Sequence, residues 1–125
     1  MGGDWKELMY AIEKDDLSLV RYHLANGVDP NYQHPEFLTS PLIESMRWER
    51  VDIANLLLEK GANPNLVEAF GKDTPLSIAI EKQNGKAISV LRAFDVDETR
   101  LPRGKRQQLQ RIVQGKDARP WWKIW

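Results

Sequence analysis

Residues 27–31 read GVDPN, and residues 61–65 read GANPN, 34 positions later. A second pair keeps this register, because SPL at residues 40–42 returns as TPL at residues 74–76. The same spacing aligns three apolar segments, which read LMYAI at 8–12, LIESM at 42–46 and LSIAI at 76–80. Unrelated motifs that share one period indicate that the chain is built from a repeated unit.

Each unit is predicted to contain a pair of helices. Apolar residues three and four positions apart, such as Leu17, Val20 and Leu24, are typical of the buried face of a helix. The predicted pairs are residues 5–14 with 17–26, 41–48 with 51–60, and 75–82 with 86–94. The predicted core consists of the apolar residues on their inward faces: Leu8, Ala11, Ile12, Leu17, Val20, Leu24, Leu42, Ile53, Leu56, Leu57, Leu76, Ala79, Ile88 and Leu91.

The residues between the helices favour these boundaries. Ser40 and Thr74 can cap the helices that follow them, and the proline after each fits the first helical position, where no amide hydrogen is needed. Gly27 and Gly61 follow a helix end, where a left-handed residue closes the last turn. The Pro-Asn pairs after them are typical of chain reversals. The pattern therefore predicts an all-α solenoid of helix-turn-helix units.

The motif TPL at 74–76, the helix that ends in LLLEKGA at 56–62, and NPN at 63–65 resemble the ankyrin repeat. The resemblance covers roughly residues 4–98, in units of about 4–31, 32–65 and 66–98, and it implies an ankyrin-type solenoid with finger loops. Each unit is one residue longer than the usual 33, which predicts a slightly larger finger. The histidine that usually follows Pro-Leu is replaced by Ile43 and Ser77. Asp95 stands where a glycine would end the third unit, so the regular pattern is expected to stop there.

The composition excludes several classes of protein. A chain of 125 residues without cysteine holds no disulfide framework and no thiolate chemistry. No apolar run is long enough to cross a bilayer, and the first residues lack a basic segment followed by an apolar stretch. Export is therefore not expected, and the expected location is the cytoplasm.

The net charge of zero hides two segments of opposite charge. Residues 1–98 carry 10 Lys or Arg against 17 Asp or Glu, which gives −7, and residues 99–125 carry 8 against 1, which gives +7. Residues 99–125 are therefore treated as a separate basic tail. A helix near 104–114 would place Leu109, Ile112 and Val113 on one face. Such a helix is expected to cap the open end of the third unit, because a solenoid exposes its core there.

The tail ends with three tryptophans, Trp121, Trp122 and Trp125. The leading interpretation is that they continue along the edge of the last unit and help to hold the tail on the acidic body. Two alternatives stay open. They can insert into a partner's pocket, or they can act with the basic residues at a membrane surface or on nucleic acid.

The sequence offers no catalytic or metal-binding set. Its two histidines, His23 in a helix and His34 in a loop, lack the spacing of metal ligands, and we expect His23 to be exposed or half-buried and His34 to be solvated. No phosphate loop, nucleophile motif or paired-carboxylate frame appears. We therefore expect no enzyme, no cofactor, no metal and no small-molecule substrate.

The ankyrin resemblance implies that the finger tips and the ends of the first helices form one concave face. It places there, among others, Glu13, Lys14, Phe37, Arg47, Trp48, Phe70, Glu81 and Lys82. Trp48 stands out because the aligned positions hold Lys14 and Lys82, and because Trp and Arg carry much of the energy of interfaces. The alternative for Trp48 is a half-buried position over the neighbouring helices. Phe37 and Phe70 can instead pack between fingers.

These residues predict a non-enzymatic module that binds a folded protein partner through the acidic concave face. The acidity predicts a basic partner surface, because complementary charge speeds encounter. A scaffold, a regulator, an inhibitor or an immunity-type protein would fit. The alternative is that the Trp-rich basic tail is the working element, bound to a membrane surface or to nucleic acid.

Overall fold

The computed structural model of this protein describes residues 2–69 and 71–114, with side chains from Trp5 onward. Over these residues the chain forms seven helices and no strand: α1 Gly2–Glu13, α2 Leu17–Ala25, α3 Pro41–Arg47, α4 Val51–Glu59, α5 Pro75–Glu81, α6 Gly85–Ala93 and α7 Arg103–Val113. The predicted all-α fold is confirmed. Most predicted ends lie within one residue of the observed ones, and α1 begins earlier than predicted.

The helices form two stacked rows. The inner row contains α1, α3, α5 and α7, each in contact with the next, and the outer row contains α2, α4 and α6. The side chains of Ser40 and Thr74 accept hydrogen bonds from Ile43 N–H and Ser77 N–H, as predicted for N-caps. Ser77 returns a hydrogen bond to the Thr74 N–H, which completes a capping box. Local sequence therefore determines where α3 and α5 begin.

A repeated turn joins each outer helix to the next unit. Gly27 and Gly61 adopt φ values of +93° and +99°, the left-handed region that glycine tolerates best. Asp95 takes the same place in the third unit with φ of +60°. The expectation that the pattern stops at Asp95 is therefore wrong, because this turn needs only a left-handed residue and aspartate can adopt that conformation.

Asparagine side chains connect each turn to the next. Asn31 Nδ2 donates to the Gly61 carbonyl at 3.0 Å, and its Oδ1 accepts from Asn63 N–H at 2.7 Å. Asn65 Oδ1 accepts from Asp97 N–H at 2.7 Å in the following turn. We call these contacts the asparagine ladder. Because every bond is to a backbone group of the next unit, the ladder fixes the spacing of the units.

Asp97 closes the last of these turns. Its carboxylate accepts from the Thr99 hydroxyl at 2.6 Å and from the Thr99 N–H at 2.9 Å. These hydrogen bonds hold the pKa of Asp97 below its usual value, since they favour the charged form. The regular turn therefore extends to Thr99, beyond the end that was predicted for the third unit.

The core agrees with the prediction except at two leucines. Leu17 and Leu24 are only half-buried, because α2 belongs to the first unit and has an outer-row neighbour on one side only. The other predicted core residues are buried. Buried residues outside the predicted set include Trp5, Ile43, Met46, Ala54, Leu58, Ile78, Ile80 and Leu101.

Helix α7 takes the place of a fourth inner helix. Leu109 and Ile112 are buried, as expected for a cap, and the helix packs on α5. Val113 was predicted on the same face but is 49% exposed. The face of α7 that contacts the other helices is therefore narrower than the apolar stripe formed by Leu109, Ile112 and Val113. A Cβ at Gly85, the first residue of α6, would lie 3.9 Å from Ile112 Cγ2. The C-terminal end of α7 therefore lies beside the start of α6, at the same end of the stack as the end of α5.

Candidate partner-binding surface

An aromatic cluster fixes the first finger, residues 32–40, against α1. Trp5 is 2% exposed, and its indole Nε1 donates to the Tyr32 carbonyl at 2.9 Å. Its ring stacks on His34, with centroids 5.2 Å apart, and lies 5.9 Å from the ring of Phe37. Aromatic pairs at these distances stabilise beyond the area that they bury. His34 is therefore half-buried in this cluster, and the expectation of a solvated loop histidine is wrong.

Beside this cluster lies an open cleft of about 340 Å³ between α1, α3 and the first finger. Trp5 and Met9 contribute apolar surface to it. Its other aromatic residues are Tyr10, Phe37 and Trp48, which are 58%, 56% and 46% exposed. Lys6, Glu13, Thr39 and Glu44 complete the lining. We call this feature the aromatic cleft.

Charged groups already lie near two of these rings. Lys6 Nζ lies 5.9 Å from the centre of the Phe37 ring, and Lys14 Nζ lies 5.2 Å from the centre of the Tyr10 ring. Both distances fall within the range of cation–π contacts. Lysines of the chain itself therefore already contact two of the exposed rings.

Trp48 is the residue that directly follows α3 and forms its C-cap. Its backbone N–H donates to the Glu44 carbonyl at 2.9 Å. This bond holds the backbone of Trp48 in place at the end of α3. Nearly half of the side chain stays exposed beside Tyr10 and Glu13. The structure therefore brings Trp48, Phe37 and Glu13, three of the predicted binding residues, into one cleft.

Arg47 binds the protein itself. Its guanidinium donates to Glu44 at 3.1 Å and to Glu68, and lies 3.5 Å from Asp73. Glu68 and Asp73 belong to the second finger, residues 66–74, so the arginine ties that finger to α3. Partial burial lowers the pKa of Arg47, but the hydrogen bonds and charges of Glu68 and Glu44 outweigh this effect and raise it above the usual value. Arg47 therefore holds the second finger beside the cleft.

The remaining predicted binding residues lie apart from the cleft lining. Lys14 covers Tyr10 from the end of α1, while Glu81 and Lys82 are exposed at the end of α5. Phe70, Trp121, Trp122 and Trp125 lie outside the described residues. The two fingers are connected by Gln33, whose amide donates to the Val67 carbonyl at 3.0 Å and accepts from Ala69 N–H at 2.9 Å.

The second histidine also differs from expectation. His23 is 5% exposed, so the prediction of an exposed or half-buried residue is wrong. Its Nε2 lies 3.6 Å from Glu7 Oε2 and makes no hydrogen bond. Within residues 2–69 and 71–114, no group of three His, Cys, Asp or Glu is arranged to hold a metal ion. None of the helices described is long and apolar enough to cross a membrane.

Comparison with known families agrees with this architecture. A family model for ankyrin repeats, in three copies, matches residues 8–100. The chain belongs to the ankyrin repeat family. Ankyrin repeats generally mediate contacts between proteins and are not themselves catalytic.

Individual relatives share the repeat but are longer proteins. The chain is 33% identical over 91 residues to the palmitoyltransferase AKR1 of Lachancea kluyveri, and 29% identical over 87 residues to the putative ankyrin repeat protein FPV024 of Fowlpox virus. It is 36% identical over 72 residues to the human 2-5A-dependent ribonuclease. These matches cover 73%, 70% and 58% of this chain but only 12%, 15% and 10% of the relatives. The activities in two of these names therefore belong to those whole proteins.

Two residues of the aromatic cleft, Tyr10 and Trp5, are not among the binding residues predicted from the sequence. Tyr10 has a signal, because the aligned positions in the other two units hold Glu44 and Ile78. Trp5 stands at the position of Thr39 and Asp73, directly before the residue that caps α3 or α5. An aromatic residue at that place indicates that the first unit is held against its finger by ring contacts.

Proposed function

We propose that this ankyrin repeat chain is a non-enzymatic module that binds a folded protein partner through the aromatic cleft. The observation that supports this most is the group of three exposed aromatic side chains, Tyr10, Phe37 and Trp48, gathered beside the buried Trp5. Large aromatic residues around a concave apolar surface are typical of the residues that dominate binding energy.

The charges around the cleft suggest the chemistry of the partner. Residues 1–98 carry a net charge of −7, and Glu13 and Glu44 line the cleft. A partner that presents an apolar or aromatic anchor surrounded by Lys or Arg would match both features. Binding would cover this apolar and basic surface of the partner. A regulator, an inhibitor or an immunity-type protein would act in this way.

The substitution Trp48→Ala tests this proposal. We expect it to weaken partner binding by at least about 1 kcal/mol, which is about fivefold in Kd, because the truncation removes an exposed ring from the cleft. Stability should change little, since nearly half of the side chain is exposed. The partner is first identified by pull-down from the source cell with mass spectrometry, and affinity and thermal unfolding are then measured for both chains.

The matched control is Lys82→Ala, at the aligned position in the third unit. We expect this variant to keep the affinity of the original chain, because Lys82 lies outside the aromatic cleft. If Trp48→Ala lowers the melting temperature by several degrees and leaves the affinity unchanged, Trp48 is a structural residue and the proposed binding site is wrong.

A second candidate function rests on the charge of the tail. Residues 99–125 carry 8 basic residues against 1 acidic residue, and Arg103 and Arg111 of α7 are exposed. A segment of this kind would bind phosphate groups of a membrane surface or of nucleic acid. Such binding should fall steeply as salt rises, whereas binding in an aromatic cleft should change little. A salt titration of the affinity therefore distinguishes the two functions.

A further inference from the structure

We propose that residues 115–125 of this chain occupy its own aromatic cleft until a partner displaces them. This inference rests on the proposed function, because it takes the aromatic cleft as the partner site. It adds a regulatory step, since a segment bound there would compete with the partner.

Gln114, the residue before this segment, lies at the end of an inner-row helix, and the cleft is formed by two other helices of that row. Gln114 forms the C-cap of α7, as Trp48 does for α3 and Lys82 does for α5. Two contacts show that these helix ends lie side by side. Arg50, just after α3, donates to the Ile12 and Glu13 carbonyls at the end of α1. At the other end of the row, Ile112 lies close to Gly85, just after the turn that follows α5.

The segment is long enough to reach the cleft. Packed helices lie 8–10 Å apart, so α7 is about 16–20 Å from α3 and about 24–30 Å from α1. An extended chain spans about 3.3–3.6 Å per residue, which carries Trp121 about 23–25 Å from Gln114 and Trp125 about 36–40 Å. Trp121 and Trp122 can therefore reach Trp48, and Trp125 can reach the part of the cleft formed by α1.

The chemistry of the segment complements that of the cleft. Residues 115–125 contain three tryptophans and the basic residues Lys116, Arg119 and Lys123, against the single acid Asp117. The lining of the cleft holds two acids, Glu13 and Glu44, against one base, Lys6. Indole rings stack well on exposed aromatic rings, and Tyr10, Phe37 and Trp48 supply three such rings.

The other nearby surface suits the segment less well. The groove at the edge of the third unit is lined by Arg92, Glu98, Thr99, Arg106, Leu109 and Gln110. Arg92 is already paired with Glu98 at 2.8 Å, and Arg106 donates to the Thr99 carbonyl. None of these lining residues is aromatic, so the groove offers an indole ring no partner for stacking. Its two arginines also outnumber its single acid, Glu98, beside a basic segment. The aromatic cleft is therefore the favoured position, rather than the edge of the last unit that the sequence suggested.

A competition experiment with a synthetic peptide of residues 115–125 tests the inference. The full chain is compared with a full-length variant that carries Trp121→Ser, Trp122→Ser and Trp125→Ser, which keeps the length and the charges. We expect the peptide to bind this variant and to shift the NMR signals of Met9, Tyr10 and Trp48. The original chain should bind the peptide about tenfold more weakly, because a tethered segment competes at a millimolar effective concentration.

Three results would overturn the inference: equal peptide affinity for both chains, peptide-induced shifts at Arg92 and Gln110 instead of the cleft, or full-chain cleft signals that change with protein concentration. The last result would mean that a second copy supplies the segment. Partner binding separates this inference from the proposed function. If the triple variant binds the partner no more tightly than the original chain but Trp48→Ala still weakens binding, only the inference fails. If the peptide binds the cleft as expected but Trp48→Ala leaves partner binding unchanged, only the proposed function fails.

Discussion

A chain that ends at Glu98 is expected to be less stable than the full chain by about 4 kcal/mol, because it loses the burial of three apolar side chains. Leu101, Leu109 and Ile112 are at most 8% exposed, and α7 covers the end of the inner row at α5. A loss of this size corresponds to a fall of more than about 10 °C in melting temperature for a domain of this length. The newly exposed apolar surface of the third unit should also promote association.

Thermal unfolding and light scattering measure these two effects. The matched control is a chain that ends at Gln114, which keeps α7 and every described contact. We expect the control to lose much less stability than the chain that ends at Glu98, and to stay monomeric. If the chain that ends at Glu98 is equally monomeric and equally stable, α7 is not a cap, and a role of the basic tail on membranes or nucleic acid becomes the better interpretation.

Replacement of Arg47 by methionine is expected to destabilise the protein by about 2 kcal/mol. The change keeps the apolar stem of the side chain but leaves Glu44, Glu68 and Asp73 without their shared cation. Hydrogen bonds to charged groups contribute about 1.5–3 kcal/mol each when one partner is removed. The partial exposure of Arg47 reduces the effect, since water can hydrate the carboxylates that remain.

Urea unfolding measures this loss of stability in Arg47→Met, with Glu81→Ala as the matched control. Glu81 occupies the aligned position in the third unit and is exposed, so its removal should change the free energy of unfolding by less than about 0.5 kcal/mol. Equal stability of the two variants would show that the ion pairs of Arg47 do not hold the second finger.

The repeat, the helices and most of the core could be predicted from sequence because they depend on local signals. Ser40, Thr74, Gly27 and Gly61 determine helix ends through contacts within a few residues. Leu17 and Leu24 show the limit of this approach. Their spacing matches a buried face, but their burial depends on a neighbouring unit that the first repeat lacks on one side.

The candidate site could be predicted only in part, because its parts meet across different units. Trp48 stands out in the sequence because its aligned positions hold lysine, and the structure places it in the cleft lining. The pairing of Arg47 with Glu68 joins residues 21 positions apart, and Trp5 bonds to a carbonyl 27 positions away. No helical or strand period links such positions. The sequence therefore predicts a binding role for Arg47 but does not reveal the carboxylates that pair with its guanidinium.

The asparagine ladder has a consequence for the length of the protein. Asn31 and Asn65 bind backbone groups alone, so an added copy of residues 41–74, inserted after Thr74, would meet the same bonding partners on both sides. Such an insertion would move Gln114 one helix spacing further from Trp48, to about 24–30 Å. Trp121, which reaches about 23–25 Å, would then come only to the near edge of that range, whereas Trp125, which reaches about 36–40 Å, could still contact Trp48. The number of repeats would therefore select which tryptophan of the tail can cover the binding site.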